Sequence, residues 1–142
     1  MDNERAQTGE HMKLTVPSQP KYLYVVRSAL YPVVLDAGFT KRDARRIILA
    51  VDEACSNIIK YSYEGDGSKE IEVRVAVYGR TMKISLADTG KKPDVSKIAP
   101  RKLDEVRPGG LGTHFMASVF DSVSYDTSGN EGTVLTLVKE IS

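Results

Sequence analysis

Tryptophan is absent from the 142 residues, cysteine occurs once and histidine twice. The single cysteine, Cys55, closes no disulfide within the chain, and it falls inside a helical pattern where a small buried thiol is the expected state. A reducing compartment, the cytoplasm, fits that usage. His11 and His114 with one thiol exclude a metal centre of the His/Cys type. Excess charge is missing too: 20 basic residues face 19 acidic ones, spread along the chain, which leaves a net charge of +1. No broad electrostatic footprint for nucleic acid or membrane follows from it. No apolar run approaches the ~20 residues of a membrane span, and the N-terminus lacks the charged-then-apolar layout of a secretory signal. Internal repeats are also missing. What is present is 41% hydrophobic content, which suits one domain with a real core.

Residues 1–12 are polar and aperiodic, and are set aside as an unstructured tail or a cloning remnant, leaving 13–142 as the domain. Residues 13–17 alternate as a short edge strand would. Ser18 followed by Pro20 starts a helix, and Leu23, Val26, Leu30, Val33, Val34 and Ala37 trace its apolar stripe as far as Gly38. Pro32, in the interior, is expected to kink or split it, and the stripe serves as core or dimer interface. Thr40 with Asp43 resembles a capping box and opens a second helix running to about Tyr63. After the breaker Glu64-Gly65-Asp66-Gly67-Ser68, Ile71, Val73, Val75 and Val77 alternate with polar or small residues. Met82, Ile84 and Leu86 do the same beyond a Gly79-Arg80 turn, so the two runs form a hairpin with one buried face. Residues 91–108 are charged and carry Pro93, Pro100 and Pro108, a loop long enough to be functional. Gly109-Gly110-Leu111-Gly112 leads into a third helix through Phe115, Val119 and Phe120. Strands at 122–127 and 133–139 close the chain around a Gly-rich turn. This order predicts an α+β two-layer sandwich, a mixed sheet with helices on one face.

Four short segments carry chemistry. Ile47, Val51, Ala54, Ile58 and Tyr61 define the core face of the second helix, which puts Glu53 and Asn57 together on an adjacent face. A carboxylate there can accept a proton, and an amide can hold a metal. Asp88-Thr89-Gly90 closes the second strand of the hairpin, where a carboxylate can meet a ligand entering under the loop. Gly109-Gly110-Leu111-Gly112 offers backbone N–H groups and a positive helix end to an anion. Gly132-Thr133 follows the last turn. Each alone is an ordinary surface pair, turn or helix start; their order and separations are specific.

Together, Glu53-x-x-x-Asn57, Asp88-x-Gly90, Gly110-x-Gly112 and Gly132-Thr133 resemble the motifs of the GHKL ATP-binding superfamily, which includes gyrase, histidine kinase and MutL ATPase domains. The stretches AVDEACSNIIKYSY and GGLGTHFMASVFDSVSY look most like the stand-alone anti-sigma factor serine kinases, and the resemblance spans residues 13–141. It implies an α/β sandwich holding ATP and Mg²⁺ between the helical layer and a lid formed by residues 91–108. It gives Asn57 the role of Mg²⁺ ligand and Glu53 that of the base acting on a substrate serine. Asp88 would accept the adenine amine, Gly90 would leave room for the ring, and Thr133 would add a contact. Gly110, Leu111, Gly112 and Thr113 would frame the phosphates, and Arg101, Lys102 and Arg107 could supply charge from the lid. The implied partners are a sigma factor and a STAS-domain anti-anti-sigma protein that is the substrate, with no direct role for nucleic acid or membrane. A homodimer would form through the first helix and neighbouring strand, using Leu23, Val26 and Leu30. The chain departs from the pattern at Lys92, where a second glycine is common, and at Tyr61-Ser62-Tyr63, where His-Ala-Tyr is usual. Pro108 also separates Arg107 from the glycine pair. Two other readings of the same motifs are a non-catalytic module that sequesters a regulator and a stand-alone catalytic domain of the histidine-kinase type.

Overall fold

Alternating apolar residues build the sheet. In the computed structural model, which describes residues 10–92, 110–129 and 131–142, five strands form: β1 (Glu10–Pro17), β2 (Glu70–Tyr78), β3 (Thr81–Asp88), β4 (Ser122–Asp126) and β5 (Thr133–Glu140). Their order is β1-β2-β3-β5-β4. Ile71, Val73 and Val75 of β2, Met82, Ile84 and Leu86 of β3, and Leu135 and Leu137 of β5 all point into the core. The intervening Arg74, Lys83 and Val134 stay exposed, as the two-residue period of a half-buried strand requires. The β2–β3 turn has Gly79 at φ 58°, the left-handed conformation that glycine supplies at the first central position of a tight hairpin. β1 begins at Glu10, inside the stretch that the sequence alone sets aside, and bends at a register shift between Glu10 and Met12.

Every neighbouring pair is antiparallel, so the sheet is not mixed as expected. The helix between β3 and β4 does return the chain parallel to β3, as a crossover does. β5, however, folds back from β4 and inserts between the two, leaving no parallel neighbours.

Three helices of the described residues cover one face. A short 3₁₀ turn (Pro20–Tyr22) leads into α1 (Leu23–Ala37), which ends at Gly38 with φ 120°. Pro32 does not split α1. Pro32 is exposed, and so is Ser28, the residue four earlier whose carbonyl loses its helical donor, so water can take the donor's place. Leu23, Val26, Leu30 and Val34 are buried within the protomer. Leu23, Val26 and Leu30 are thus core residues and not the dimer contacts that the resemblance implied. α2 (Lys41–Asn57) starts at Thr40, whose hydroxyl accepts from the Asp43 N–H at 3.1 Å and caps the helix. α3 (Gly110–Val119) packs against α2 through buried Met116 and Val119, with Phe120 just beyond its end.

Past Asn57 the helix loosens into a π turn (Ile58–Ser62), closed by the Tyr63 N–H on the Ile58 carbonyl at 2.9 Å. The extra residue rotates everything after it. Tyr61, expected on the core face, is therefore 43% exposed, and Tyr63 is buried in its place.

Candidate functional site

Asp88 continues the inward alternation of Met82, Ile84 and Leu86, so β3 delivers a carboxylate to the core side of the sheet, where it is only 7% exposed. Its Oδ1 accepts the Gly90 N–H at 2.9 Å. Burial raises its pKa above the ordinary aspartate value, while the Gly90 hydrogen bond and the nearby Ser62 side chain pull the other way. Opposite it in register stands Thr133, the first residue of β5. The Thr133 hydroxyl is buried and has no hydrogen-bond partner among the described residues. A buried polar atom left without a partner costs about 1–3 kcal/mol, so an orphan of this kind marks the place of a ligand or water.

Glycines let the backbones close around this pair. Gly132 has φ 67°, and a Cβ there would overlap the Asp88 carbonyl. A Cβ on Gly90 would overlap the Ser62 carbonyl oxygen. Asp88 and Thr133 thus set a carboxylate acceptor and an unpaired hydroxyl opposite each other on neighbouring strands, a pair that suits a heterocycle carrying an amino group.

The π turn ties this recess to α2. The Ser62 side chain lies close enough to Asp88 to favour its ionised form, and the Ser62 carbonyl accepts the Lys91 N–H at 2.7 Å. The Tyr63 hydroxyl donates to the Glu70 carbonyl at 2.5 Å and accepts the Thr89 N–H at 2.9 Å. Glu53 and Asn57, both half-buried, stand one turn apart at the C-terminal end of α2, directly before the π turn. That end carries partial negative charge from the helix dipole and suits a cation. Ser62 and Tyr63 escaped the sequence reading as site residues. The only signal was an aromatic retained at the end of the helix.

Lys92 stands where the motif comparison expects glycine. Its Nζ donates to the carbonyls of Thr127 at 2.7 Å and Gly129 at 2.5 Å, tying the first residues after β3 to the β4–β5 connection. Gly110, Leu111, Gly112 and Thr113 make the first turn of α3, with their backbone N–H groups at its positive end. The side chains of Leu111 and Thr113, and the loop 93–109 with Arg101, Lys102 and Arg107, lie outside the described residues. Cys55 is buried, and burial pushes its thiol up to about 12, too high for a nucleophile. Among the described residues no group of His, Cys, Asp and Glu could hold a metal on its own.

The chain is 28% identical over 138 residues to the serine-protein kinase RsbW of Bacillus velezensis, covering 92% of this chain and 85% of that protein. It is 29% identical over 122 residues to RsbW of Bacillus subtilis, covering 80% of this chain and 76% of that protein. A chain of the SiaB–SiaC complex from Pseudomonas aeruginosa shares the fold at a TM-score of 0.75 and 14% identity, over 97% of this chain and 94% of that one. The structure of the RsbU and RsbW domains of a Mycobacterium tuberculosis protein matches at 0.67 and 20% identity, over 92% of this chain and 31% of that one. The family model described as the histidine kinase-like ATPase domain matches residues 16–139, with Glu53, Asn57, Asp88 and Thr133 inside it. The chain belongs to that family.

Proposed function

We propose that this protein is an ATP-dependent protein-serine kinase that doubles as an anti-sigma factor, binding a sigma factor and phosphorylating a STAS-domain antagonist of that binding. The observation that carries the reading is the pairing of buried Asp88 with the unpartnered Thr133 hydroxyl, linked through Ser62 to the helix that bears Glu53 and Asn57. Similarity to serine-protein kinases along most of the chain supports it.

The Asp88 carboxylate accepts the exocyclic amine of adenine and repels the carbonyl oxygen that guanine carries at that position. The Thr133 hydroxyl meets the ring or a water beside it. Asn57 would hold a Mg²⁺ through its hard amide oxygen, the donor type this ion takes. Bound Mg²⁺ would neutralise charge on the phosphates. Glu53, one turn earlier, takes the proton from the substrate serine, a poor nucleophile until a base relieves it of that proton. The first turn of α3 faces the phosphates with its N–H groups. We further propose a homodimer through α1 and β1. β1 is an edge strand, and beside it lies a shallow groove lined by Met12, Pro32, Val33, Asp36, Ala37 and Val77.

Calorimetric titration of ATP, ADP and GTP with Mg²⁺ into the wild type and Asp88→Asn tests the pocket. Adenine nucleotides bind and GTP does not, and the substitution weakens binding. Transfer of label from γ-labelled ATP to a STAS-domain protein as acid-stable phosphoserine, lost in Glu53→Gln, tests the kinase. A well-folded protein that binds no nucleotide would sink both.

A further inference from the structure

The first two turns of α2 break an electrostatic rule. Lys41, Arg42, Arg45 and Arg46 are all exposed there, at the positive end of the helix dipole, where anions stabilise and cations do not. None of the four forms an ion pair with another described residue. The nearby acid Asp52 is already engaged, with its Oδ1 2.6 Å from the Arg27 guanidinium. Four cations, none ion-paired among the described residues, outnumber the single first-turn acid Asp43, and such an excess opposing its own helix points to a requirement other than stability.

Their placement says what the requirement is. At 3.6 residues per turn, Arg42, Arg46, Leu49 and Glu53 fall within about 60° of arc, and Arg45 flanks them. Leu49 is 58% exposed, one of the few large apolar side chains left in solvent. Along the axis Glu53 lies about 6 Å beyond Leu49, about 10 Å beyond Arg46 and about 16 Å beyond Arg42. A single stripe therefore runs from free guanidinium groups, over an apolar step, to the carboxylate.

We propose that the Arg42, Arg46 and Leu49 stripe of α2 docks an acidic segment of the protein substrate and delivers its serine to Glu53. The proposal rests on the kinase reading of Glu53. An extended chain spans about 3.3–3.6 Å per residue, so the acidic residues stand about three to five positions from the phosphorylated serine. Opposite charge speeds encounter and fixes orientation, and the leucine seats an apolar neighbour between the anions and the serine.

Fluorescence anisotropy on the full chain tests this with labelled peptides that carry one serine and glutamates about three to five positions to either side of it. Counterparts with glutamine in place of glutamate measure the charge dependence. The wild type binds the glutamate peptides about tenfold more tightly, and R42E/R46E abolishes that preference. That variant stays folded, because acids in the first turns of a helix suit its dipole. K69E/K83E makes the same change in net charge at exposed sites off α2 and keeps the preference. No preference in the wild type, or equal loss in both double variants, overturns the proposal. Tighter, arginine-dependent binding of duplex DNA overturns it in favour of a nucleic-acid surface. Phosphate transfer to the same peptides separates the two readings. Arginine-dependent binding without transfer leaves docking intact and removes the kinase, and transfer with an unchanged KM in R42E/R46E does the reverse.

Discussion

Asp88 is held in the fold against its own charge. Because burial raises its pKa in the folded state, the folded protein binds that proton more tightly than the unfolded chain does. The resulting stabilisation is fully present below the ordinary aspartate value of about 3.9 and is lost as pH rises through the raised one. At neutral pH the ionised carboxylate is therefore a burden that its contacts with Gly90 and Ser62 offset only in part. Asp88→Asn should leave the melting temperature at pH 7 unchanged or higher, with the gain vanishing near pH 4, while adenine binding falls at least about tenfold. Scanning fluorimetry across pH, beside calorimetry, checks both halves, and a clear loss of stability at pH 7 would contradict the account. Thr133→Val follows the same logic. Removing a buried hydroxyl without a partner should stabilise the apoprotein by about 1 kcal/mol in denaturant melts while weakening ATP binding. Gly132 allows no such trade, since a side chain there meets the Asp88 carbonyl as well as an unfavourable φ.

Elements carry the coupling between the recess and the helix. The cap on α2 is local: Thr40→Ala should cost about 1 kcal/mol by denaturant unfolding and leave nucleotide affinity alone. The π turn acts at longer range, because it turns Tyr63 inward to hold the Glu70 carbonyl and the Thr89 amide with one hydroxyl. Tyr63→Phe leaves that amide without its acceptor, with an expected loss of about 1–3 kcal/mol and a weaker adenine site, since Thr89 follows Asp88 directly. Lys92 fastens the chain after β3 to the carbonyls of Thr127 and Gly129. Its ammonium is exposed, so Lys92→Met should change stability little. Stopped-flow release of a fluorescent ATP analogue should nevertheless quicken severalfold once the mouth of the recess is untied. An unchanged release rate would reduce Lys92 to a surface contact.

At the scale of the whole molecule, the layered core and the open β1 edge answer different questions. Leu30 is fully buried between α1 and the rest of the core, so Leu30→Ala should cost about 2–5 kcal/mol in chemical denaturation. If the chain dimerises through α1 and β1, light scattering should report a mass that Val33→Asp halves without unfolding the protomer. Much of this architecture was legible beforehand. The two-residue alternation of β2, β3 and β5 marked the sheet, the apolar stripes of α1 and α2 marked the helical layer, and Thr40 marked a helix start, because each is written in neighbouring residues. Spacing and family resemblance proposed the candidate site as a list, Glu53, Asn57, Asp88, Gly90, Gly110, Leu111, Gly112, Thr113 and Thr133. Periodicity could not give the rotation that hides Tyr63 and exposes Tyr61, because one extra residue in a helical turn leaves no mark in the pattern. Nor could it place β5 between β3 and β4, since strand order depends on which edges meet after the chain has crossed the sheet. The sequence by itself determined which residues are apolar, which bear charge and where the chain must turn. Only the tertiary structure decided that Asp88 would face an unpartnered Thr133, because that contact joins residues distant in the chain that meet when the strands pair.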